Sequence, residues 1–424
     1  MGAIYVDTGG AATNSGSRDS NTAALSGAAA TTAAAVVSLL TDNPDLSSVD
    51  ATEGSATQDR IYLNDATNAN IKSFRIVAKD DTAGVKTVTV HVAPTGIVSS
   101  AWAIGGRYAA PAGNGLNLLD GALLAGDVIT INNSPAAASV DWLTARATGT
   151  SAAGFIKVKG VTGTRPVINV TNTTQVFEGG DQDLWWLENF DADQDGASGT
   201  VLVNPGAGSV VYNVKVSDGG GVGLNINEGG VRVVASEFSA TGSTGIVMAI
   251  TAASIIGNYI HDITGSGVSA NVAALTCLLL NNIIDTCSAR GFLDSGAPTS
   301  PAHQMMVIGN TVYGCGDSGL EITDADRQAT LMNNIFSENG NAAGEFNVEW
   351  VAGAAEFVSF HAWNVFYHSG GGGGANLSGL TVNAQVASSE FTTDPAFTDA
   401  AGGDFSISST SPAKAAGFPG QFLG

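Results

Sequence analysis

Basic side chains are scarce in this chain. Its 16 Lys and Arg stand against 38 Asp and Glu, a formal net charge of −22, so it has no cationic footprint for nucleic acid or an anionic membrane, and simple charge also works against a polyanionic sugar. Only 13% of the residues are charged and 44% are hydrophobic, yet long apolar runs are missing. The longest, from Ala28 to about Leu40, is rich in Ala and Thr and too short to span a bilayer, so membrane insertion is not expected. The stretch from Met1 to Asp7 has neither the basic nor the apolar region of a Sec signal, and Val6 stands where a myristoylated Gly2 would need Ser or Thr. The expectation is a soluble protein made in the cytoplasm. Cysteine is nearly absent, at 3 residues in 424, too few for a disulfide scaffold.

What is present is a period. Asn189, Asn213, Asn258, Asn282, Asn310 and Asn334 recur, with Ser236 filling one gap, at steps of 24, 23, 22, 24, 28 and 24 residues. A glycine follows each by nine or ten residues, at Gly199, Gly223, Gly245, Gly267, Gly291, Gly319 and Gly344. Repeats of this size belong to solenoids. The segments around each Asn, such as Ile255-Ile256-Gly257-Asn258-Tyr259-Ile260, are short, apolar and β-branched, which makes them strands. If the Asn points inward, period-two alternation puts Leu187, Val211, Val234, Ile256, Leu280, Ile308 and Met332 inward before it, and Phe238, Ile260, Ile284, Val312 and Phe336 after it. A buried amide is costly alone, but stacked on the Asn of the next rung it can donate and accept along the column. The glycine column reads as a turn that needs positive φ. Together these features specify an all-β chain, a right-handed parallel β-helix in which coils of three short strands stack in register.

With this pattern the chain resembles the pectin-lyase-like or pectate-lyase-like superfamily of parallel β-helices, in particular its phage and cell-surface members. Three stretches carry the resemblance over roughly residues 110–418: the cap and first strand from Leu116 to Ile131, a first full coil in Phe155 to Gly160 and Gly163 to Ile168, and a closing segment in Asp394 to Phe397, Asp404 to Ile407 and Ser411 to Ala413. The resemblance specifies the fold and says little of function, since this fold hosts lyases, hydrolases, adhesins and viral spikes.

Residues 1–106 break the period and read as a separate β-rich domain, with residues 107–424 as the β-helix and its closing segment. The clearest N-terminal element is a hairpin from Ser73 to Val77 and Thr87 to Val92. Gly9-Gly10 reads as a turn, and Ala28 to Val37 is open between strand and short helix. In viral β-helix spikes such a domain docks the shaft onto the particle, so the resemblance implies other virion proteins as its partners.

A row of large apolar residues lies three before each ladder position: Trp186, Val210, Val233, Ile255, Leu279, Val307 and Leu331. On an unbroken strand these face outward, which suggests a seam along which three copies pack into a homotrimer. The other reading is that a bend turns this position back into the core. Cys287 and Cys315 each lie five residues after a ladder Asn and read as small buried hydrophobes stacked in neighbouring rungs, although rung spacing would also permit a disulfide.

Residues able to carry chemistry are few. Lyases of this fold need carboxylate-bound Ca²⁺ and a basic residue, and hydrolysis needs paired carboxylates. Arg232, Arg290 and Arg327 are the notable arginines in the repeats. The best carboxylate group is Asp317, Glu321, Asp324 and Asp326, with Glu345 and Glu349 one rung on, and its bland reading is a solubilising acidic face. His261-Asp262 lacks a nearby nucleophile, and His303, His361 and His368 do not have metal-ligand spacing. Asp191, Asp193 and Asp195, followed by Gly196, resemble the first half of an EF-hand loop but have Leu202 at the twelfth position, so they are a weak Ca²⁺ site or a plain Asp-rich turn. No other cofactor is expected. The reading that follows is a bacteriophage virion protein, a non-enzymatic fibre, spike or capsid-decorating subunit with a host-glycan adhesive role. A polysaccharide-degrading tailspike and a bacterial surface adhesin are the alternatives.

Overall fold

The computed structural model describes residues 3–11, 23–104 and 123–416, apart from 41–43, 54–57, 64–72, 83, 92, 95–99, 124, 136–141, 145–148, 162, 164, 172–174, 196–200, 218, 250–251, 271–275, 296–303, 324–327, 341–344, 351–359, 370–374 and 379–390. The cap from Leu116, Gly199, Gly344, His303, Asp324, Asp326 and Arg327 fall outside the described residues. The chain divides into two compact units, Met1–Asp195 and Gly196–Gly424.

In the first unit, six antiparallel strands between Leu25 and Ile104 close into a barrel. The expected hairpin is its Ser73–Asp80 and Lys86–Val90 pair, and the Ala-rich segment resolves as strands Leu25–Ala33 and Val36–Leu39. Phe74, Trp102, Ile61, Leu63, Val88 and Ile104 fill the interior. The expected boundary fails at the other end of this segment. Gly9 and Gly10 lie in strand Ala3–Ala11, which runs parallel to Val128–Ile131, and that strand in turn pairs with Ile156–Gly160. The barrel is therefore an insertion between two rungs of one parallel sheet. Asp127, immediately before Val128, is wholly buried and ion-paired with the barrel's Arg75, while Arg60 Nη1 lies 3.9 Å away. Burial brings the Arg60 guanidinium down to about 10 despite the attraction of Asp127, and burial with two neighbouring arginines holds His91 at about 4, neutral at physiological pH.

The second unit is a parallel β-helix of three sheets. The first sheet runs from Val210–Tyr212 through Val231–Val234, Ala253–Ile256, Thr276–Leu280, Gln304–Ile308 and Gln328–Met332 to Phe360–Ala362. The second runs from Lys215–Ser217 through Glu237–Ser239, Tyr259–His261, Ile283–Asp285, Thr311–Tyr313 and Ile335–Ser337 to Val365–Tyr367, and the third from Val203–Asn204 to Ala375–Ser378. Each strand pairs in parallel with its counterpart one coil on.

The ladder exists, with its frame corrected by one residue at its start. Asn258, Asn282, Asn310 and Asn334 are buried and continue into Asn364. Each side-chain NH₂ donates to the next Oδ1, as from Asn282 to Asn310 at 2.9 Å, and to a carbonyl one coil back, as from Asn310 to Leu279 at 3.0 Å. Each Oδ1 also accepts the backbone N–H of the preceding ladder residue, as Asn310 does from Asn282 at 2.9 Å. Asn189 and Asn213 do not belong to this column. They have φ of 58° and 51° and align with Ala235, Gly257, Asn281, Gly309, Asn333 and Trp363, all at positive φ. The ladder position in the Asn213 coil is Val214, whose N–H reaches Ser236 Oγ.

That left-handed residue is the bend that returns the apolar row to the core. Val233, Ile255, Leu279, Val307 and Leu331 are at most 2% exposed, so these five positions are interior and form no trimer seam. Trp186 and Val210, counted from the two misframed asparagines, lie in the outward column: Val210 pairs with the exposed Arg232, and Trp186 is half-buried beneath Lys157, whose Nζ is 5.1 Å from the ring centre. The outer positions of the first sheet are instead Val234, Ile256, Leu280, Ile308 and Met332, which had been expected inside, alongside Leu278 and Met306. Phe238, Ile260, Ile284, Val312 and Phe336 are buried as expected.

The glycine column also has a different cause from the expected turn. Gly223, Gly245, Gly267, Gly291 and Gly319 have ordinary φ, and a Cβ on any of them would lie 2.6–2.8 Å from a carbonyl oxygen of the next coil. Close stacking, not backbone handedness, excludes a side chain there. Cys287 and Cys315 are buried free thiols, each with its sulfur directed at the carbonyl two residues back.

Two substitutions separate the ladder from the bend. Asn310→Ala strips partners from Asn282, Asn334 and the Leu279 carbonyl and should cost about 2–4 kcal/mol. Asn213→Gly keeps the left-handed turn and should stay within about 1 kcal/mol of the parent. Denaturant unfolding of both variants checks the frame, and equal losses would contradict it.

Candidate functional site

The described surface of the second unit carries two groupings of chemically capable side chains. The first lies on the outer face of the third sheet. Glu321 sits between the buried Leu320 and Ile322, and strand pairing places it directly opposite Glu349 of the next coil, about 5 Å away backbone to backbone. Arg290 spans the edge of this pair, with Nε 2.6 Å from Glu321 Oε2 and Nη1 2.9 Å from Asp317 Oδ2. Ser318 Oγ lies 2.7 Å from Glu349 Oε2 and 3.2 Å from Glu345 Oε2, and its single proton can serve one of them at a time. Burial raises the Glu349 pKa, reinforced by Glu321 and Glu345 and opposed by the Ser318 hydrogen bond. Burial works against the Arg290 charge, but Glu321 and Asp317 outweigh it and raise that pKa. A carboxylate fixed by an arginine facing one whose proton is held more tightly is the asymmetry that acid–base chemistry uses. The expected carboxylate group is thus partly assembled, in Asp317, Glu321, Glu345 and Glu349.

The second grouping lies outside the second sheet. Ser239, His261, Asp285, Tyr313, Ser337 and Tyr367 form one register column, one residue per coil. Tyr259, two residues before His261 on the same face, stacks on the imidazole at 4.1 Å between ring centres. His261 Nδ1 is 2.8 Å from Asp262 Oδ2, and its Nε2 is 3.4 Å from Glu237 Oε1, which also holds Lys215 Nζ at 2.7 Å. Asp285 is 5% exposed; one carboxyl oxygen lies 3.4 Å from Tyr259 Oη and the other is buried without a hydrogen-bond partner. Burial, with Asp262 adding repulsion, pushes its pKa up to about 6.

The closing segment covers this column. Hairpin strands Phe397–Asp399 and Asp404–Ile407 place both phenylalanine rings against Tyr313, with ring centres 5.9 and 5.5 Å away. A Cβ on Gly403 would be 3.0 Å from Tyr259 Oη. Phe391, Phe397, Ile407 and Ala413 pack with Ile335, Val365 and Tyr367. The segment folds back as a strap over the outer face, and between strap and sheet lies a cavity of about 230 Å³ lined by Tyr313, Ser337, Glu338, Tyr367, Asp394 and Phe397. The sequence reading missed this site. Its signal was the recurrence of Tyr313 and Tyr367 three residues after ladder positions, legible only once the frame is known.

The Asp191 motif does not form the expected loop. Asp191–Asp195 is a strand paired with Val167–Thr171, in which Asp191 and Asp193 alternate with buried Ala192 and Gln194. Carboxylates two residues apart on a strand start about 6.6 Å apart and cannot wrap one cation as an EF-hand loop does. Asp191 is instead ion-paired with Arg165 at 2.9 Å. Among the described residues, no three His, Cys, Asp or Glu are placed to hold a metal ion. His361 is buried in the first sheet and His368 Nδ1 lies 4.0 Å from Glu338, so these two histidines share no centre.

Residues 199–349 match a family model described as right handed beta helix region. The fold is a right-handed parallel β-helix. No curated protein matches the sequence. Similar solved structures include the Dettilon tailspike protein gp208, 11% identical over 62% of this chain and 63% of that one, with a TM-score of 0.40. Pectate lyase Pel9A is 12% identical over 70% of this chain and 84% of its own, also at 0.40. Tailspike protein 2 of Escherichia coli O157:H7 bacteriophage CAB120 is 13% identical over 66% of this chain and 42% of its own, at 0.34. This chain therefore spans less than two thirds of either tailspike, and none of these likenesses carries a functional argument.

Asp285 gives a pH prediction with a definite sign. Its pKa in the folded protein, about 6, lies above the ordinary carboxylate value near 3.9, so the folded state binds the proton more tightly than the unfolded one. Its contribution is fully favourable below that ordinary value and is lost as pH rises through about 6. Asp285→Asn keeps an acceptor for Tyr259 and should raise the melting temperature at pH 7.5 while leaving it unchanged at pH 4. Thermal melts across that range test this, and a uniform destabilisation would refute it.

Proposed function

We propose that this chain is the β-helical shaft of a bacteriophage virion protein, a fibre, spike or capsid-decorating subunit, that self-associates into a homotrimer and attaches to a host-surface glycan without degrading it. The observation that carries the assembly is the outer face of the first sheet, where Leu278, Leu280, Met306, Ile308 and Met332 stand side by side in adjacent coils, half-buried within one chain. A contiguous apolar sheet face on a chain of net charge −22 is the surface that further copies of the same chain would cover. The barrel within residues 1–106 is the part proposed to dock on other virion proteins. Among the described residues no helix is long and apolar enough to cross a membrane.

Light scattering tests the assembly. The parent should show three times 42.5 kDa, and Leu280→Glu with Met306→Glu should reduce it to the single-chain mass while the circular dichroism spectrum stays unchanged. A parent that is monodisperse at 42.5 kDa would refute the homotrimer.

The opposition of Glu321 and Glu349 favours a second reading, a glycan-degrading tailspike. Two glutamates at paired positions in adjacent coils are the kind of carboxyl couple that glycoside hydrolysis uses. In that case host polysaccharide incubated with the protein would gain reducing ends, and Glu349→Gln would abolish the gain at least a hundredfold. The adhesive reading expects binding with no new reducing ends.

A further inference from the structure

We propose that the cavity under the C-terminal strap is a subsite for one uncharged pyranose residue, held between Tyr313 and Tyr367. The proposal rests on the glycan-attachment reading and gives it a location and a ligand class.

The spacing of the coils sets the width of the slot. Tyr313, Ser337 and Tyr367 occupy the same register position in three successive coils, so the two tyrosine backbones stand about 9.6 Å apart with a small side chain between them. Subtracting the thickness of an aromatic ring on each side leaves a gap for one further ring. The volume, about 230 Å³, is below the several hundred of a drug-sized site and suits a single sugar unit. Phe397 of the strap closes the slot from above, against Tyr313.

The polar groups decide the class of ligand. Glu338 Oε1 accepts the Ser369 N–H at 2.9 Å, and Asp394 Oδ1 accepts the Ala396 N–H at 2.7 Å. Each carboxylate is thereby oriented by one oxygen and retains acceptor capacity on the other. His368 Nδ1 lies 4.0 Å from Glu338 Oε2. Burial, with Glu338 and Asp394 among the nearby negative charges, raises the Tyr313 and Tyr367 pKa values, so both phenols stay protonated and can donate as well as stack. Aromatic walls with two fixed acceptors suit vicinal hydroxyls on a ring with apolar faces. The same carboxylates repel a uronic acid.

Saturation-transfer NMR on the full chain, with the methyl pyranosides of glucose, galactose and mannose as probes, tests this. Galacturonate and tetramethylammonium are the controls. The expected result is transfer to at least one pyranoside and none to galacturonate, falling at least tenfold in both Ser337→Phe, which fills the slot, and Tyr367→Ala, with each melting temperature within a few degrees of the parent. Pyranoside binding that survives both variants would overturn the subsite and leave glycan attachment standing. Tetramethylammonium binding without pyranoside binding would overturn the ligand class. If no pyranoside binds while the protein still adheres to host polysaccharide, the subsite falls alone; loss of both would overturn the attachment reading too.

Discussion

The hydrogen bond from one ladder amide to the next is the interaction on which the second unit depends, and a left-handed residue just before it makes that bond available. At Gly257, Asn281, Gly309 and Asn333 the chain turns at positive φ. The following Asn then points inward, its NH₂ and Oδ1 shared between the coils on either side. A primary amide buried this deeply would cost several kcal/mol without partners. Here its bonds also satisfy backbone groups that a tight corner would otherwise strand. The same corner resets alternation. Ile255 and Asn258 both face the interior although they are an odd three positions apart, and Ile256 between them faces out. One residue of frame therefore decides which apolar row is core and which is surface.

That single residue is also where the sequence was least legible. The period was plain because Asn recurs in all but one of the coils, with Ser236 in its place there, and β-branched flanks made the units strands. Asn, however, serves two positions in this fold, as a left-handed corner residue at Asn189 and Asn213 and as a ladder amide from Asn258 onward. Spacing cannot tell these apart when the positions are adjacent, as the consecutive pairs Asn281-Asn282 and Asn333-Asn334 show. The glycine column failed in a similar way: its period was right and its cause was not, because a carbonyl one coil away is invisible to local turn chemistry. The barrel insertion hid the first rung, since Ala3–Ala11 and Val128–Ile131 pair across more than a hundred intervening residues. Part of the candidate site could be read, because Glu321 alternates with Leu320 and Ile322. Its partnership with Glu349 depended on loop lengths between coils.

The strap shows how an aperiodic segment acquires a place on a periodic body. A stack of parallel strands offers columns of like positions, and on the second sheet these run through aromatic and small residues from Tyr259 to Tyr367. Phe391, Phe397 and Phe405 bring matching apolar surface, and burying rings of this size is worth several kcal/mol in total. Asp285 beneath them works in the opposite direction, since a carboxyl with one unpartnered oxygen is tolerated there most easily when protonated. The strap itself is held by packing.

The two surface groupings differ in how far they are already satisfied, and that difference weighs on function. On the third sheet, Arg290 is engaged by Glu321 and Asp317, and Ser318 by Glu349 or Glu345, so most of the acidic cluster's bonding capacity is spent within the protein. A catalytic pair must release some of that capacity to a substrate, and the Arg290 bridge, about one third exposed, would have to reorganise first. Under the strap the balance is reversed. The carboxylates of Glu338 and Asp394 are each fixed through one oxygen, and both residues line open volume together with the tyrosines. Preorganised groups with unspent capacity lower the cost of binding, and this contrast is what the proposed attachment role draws on.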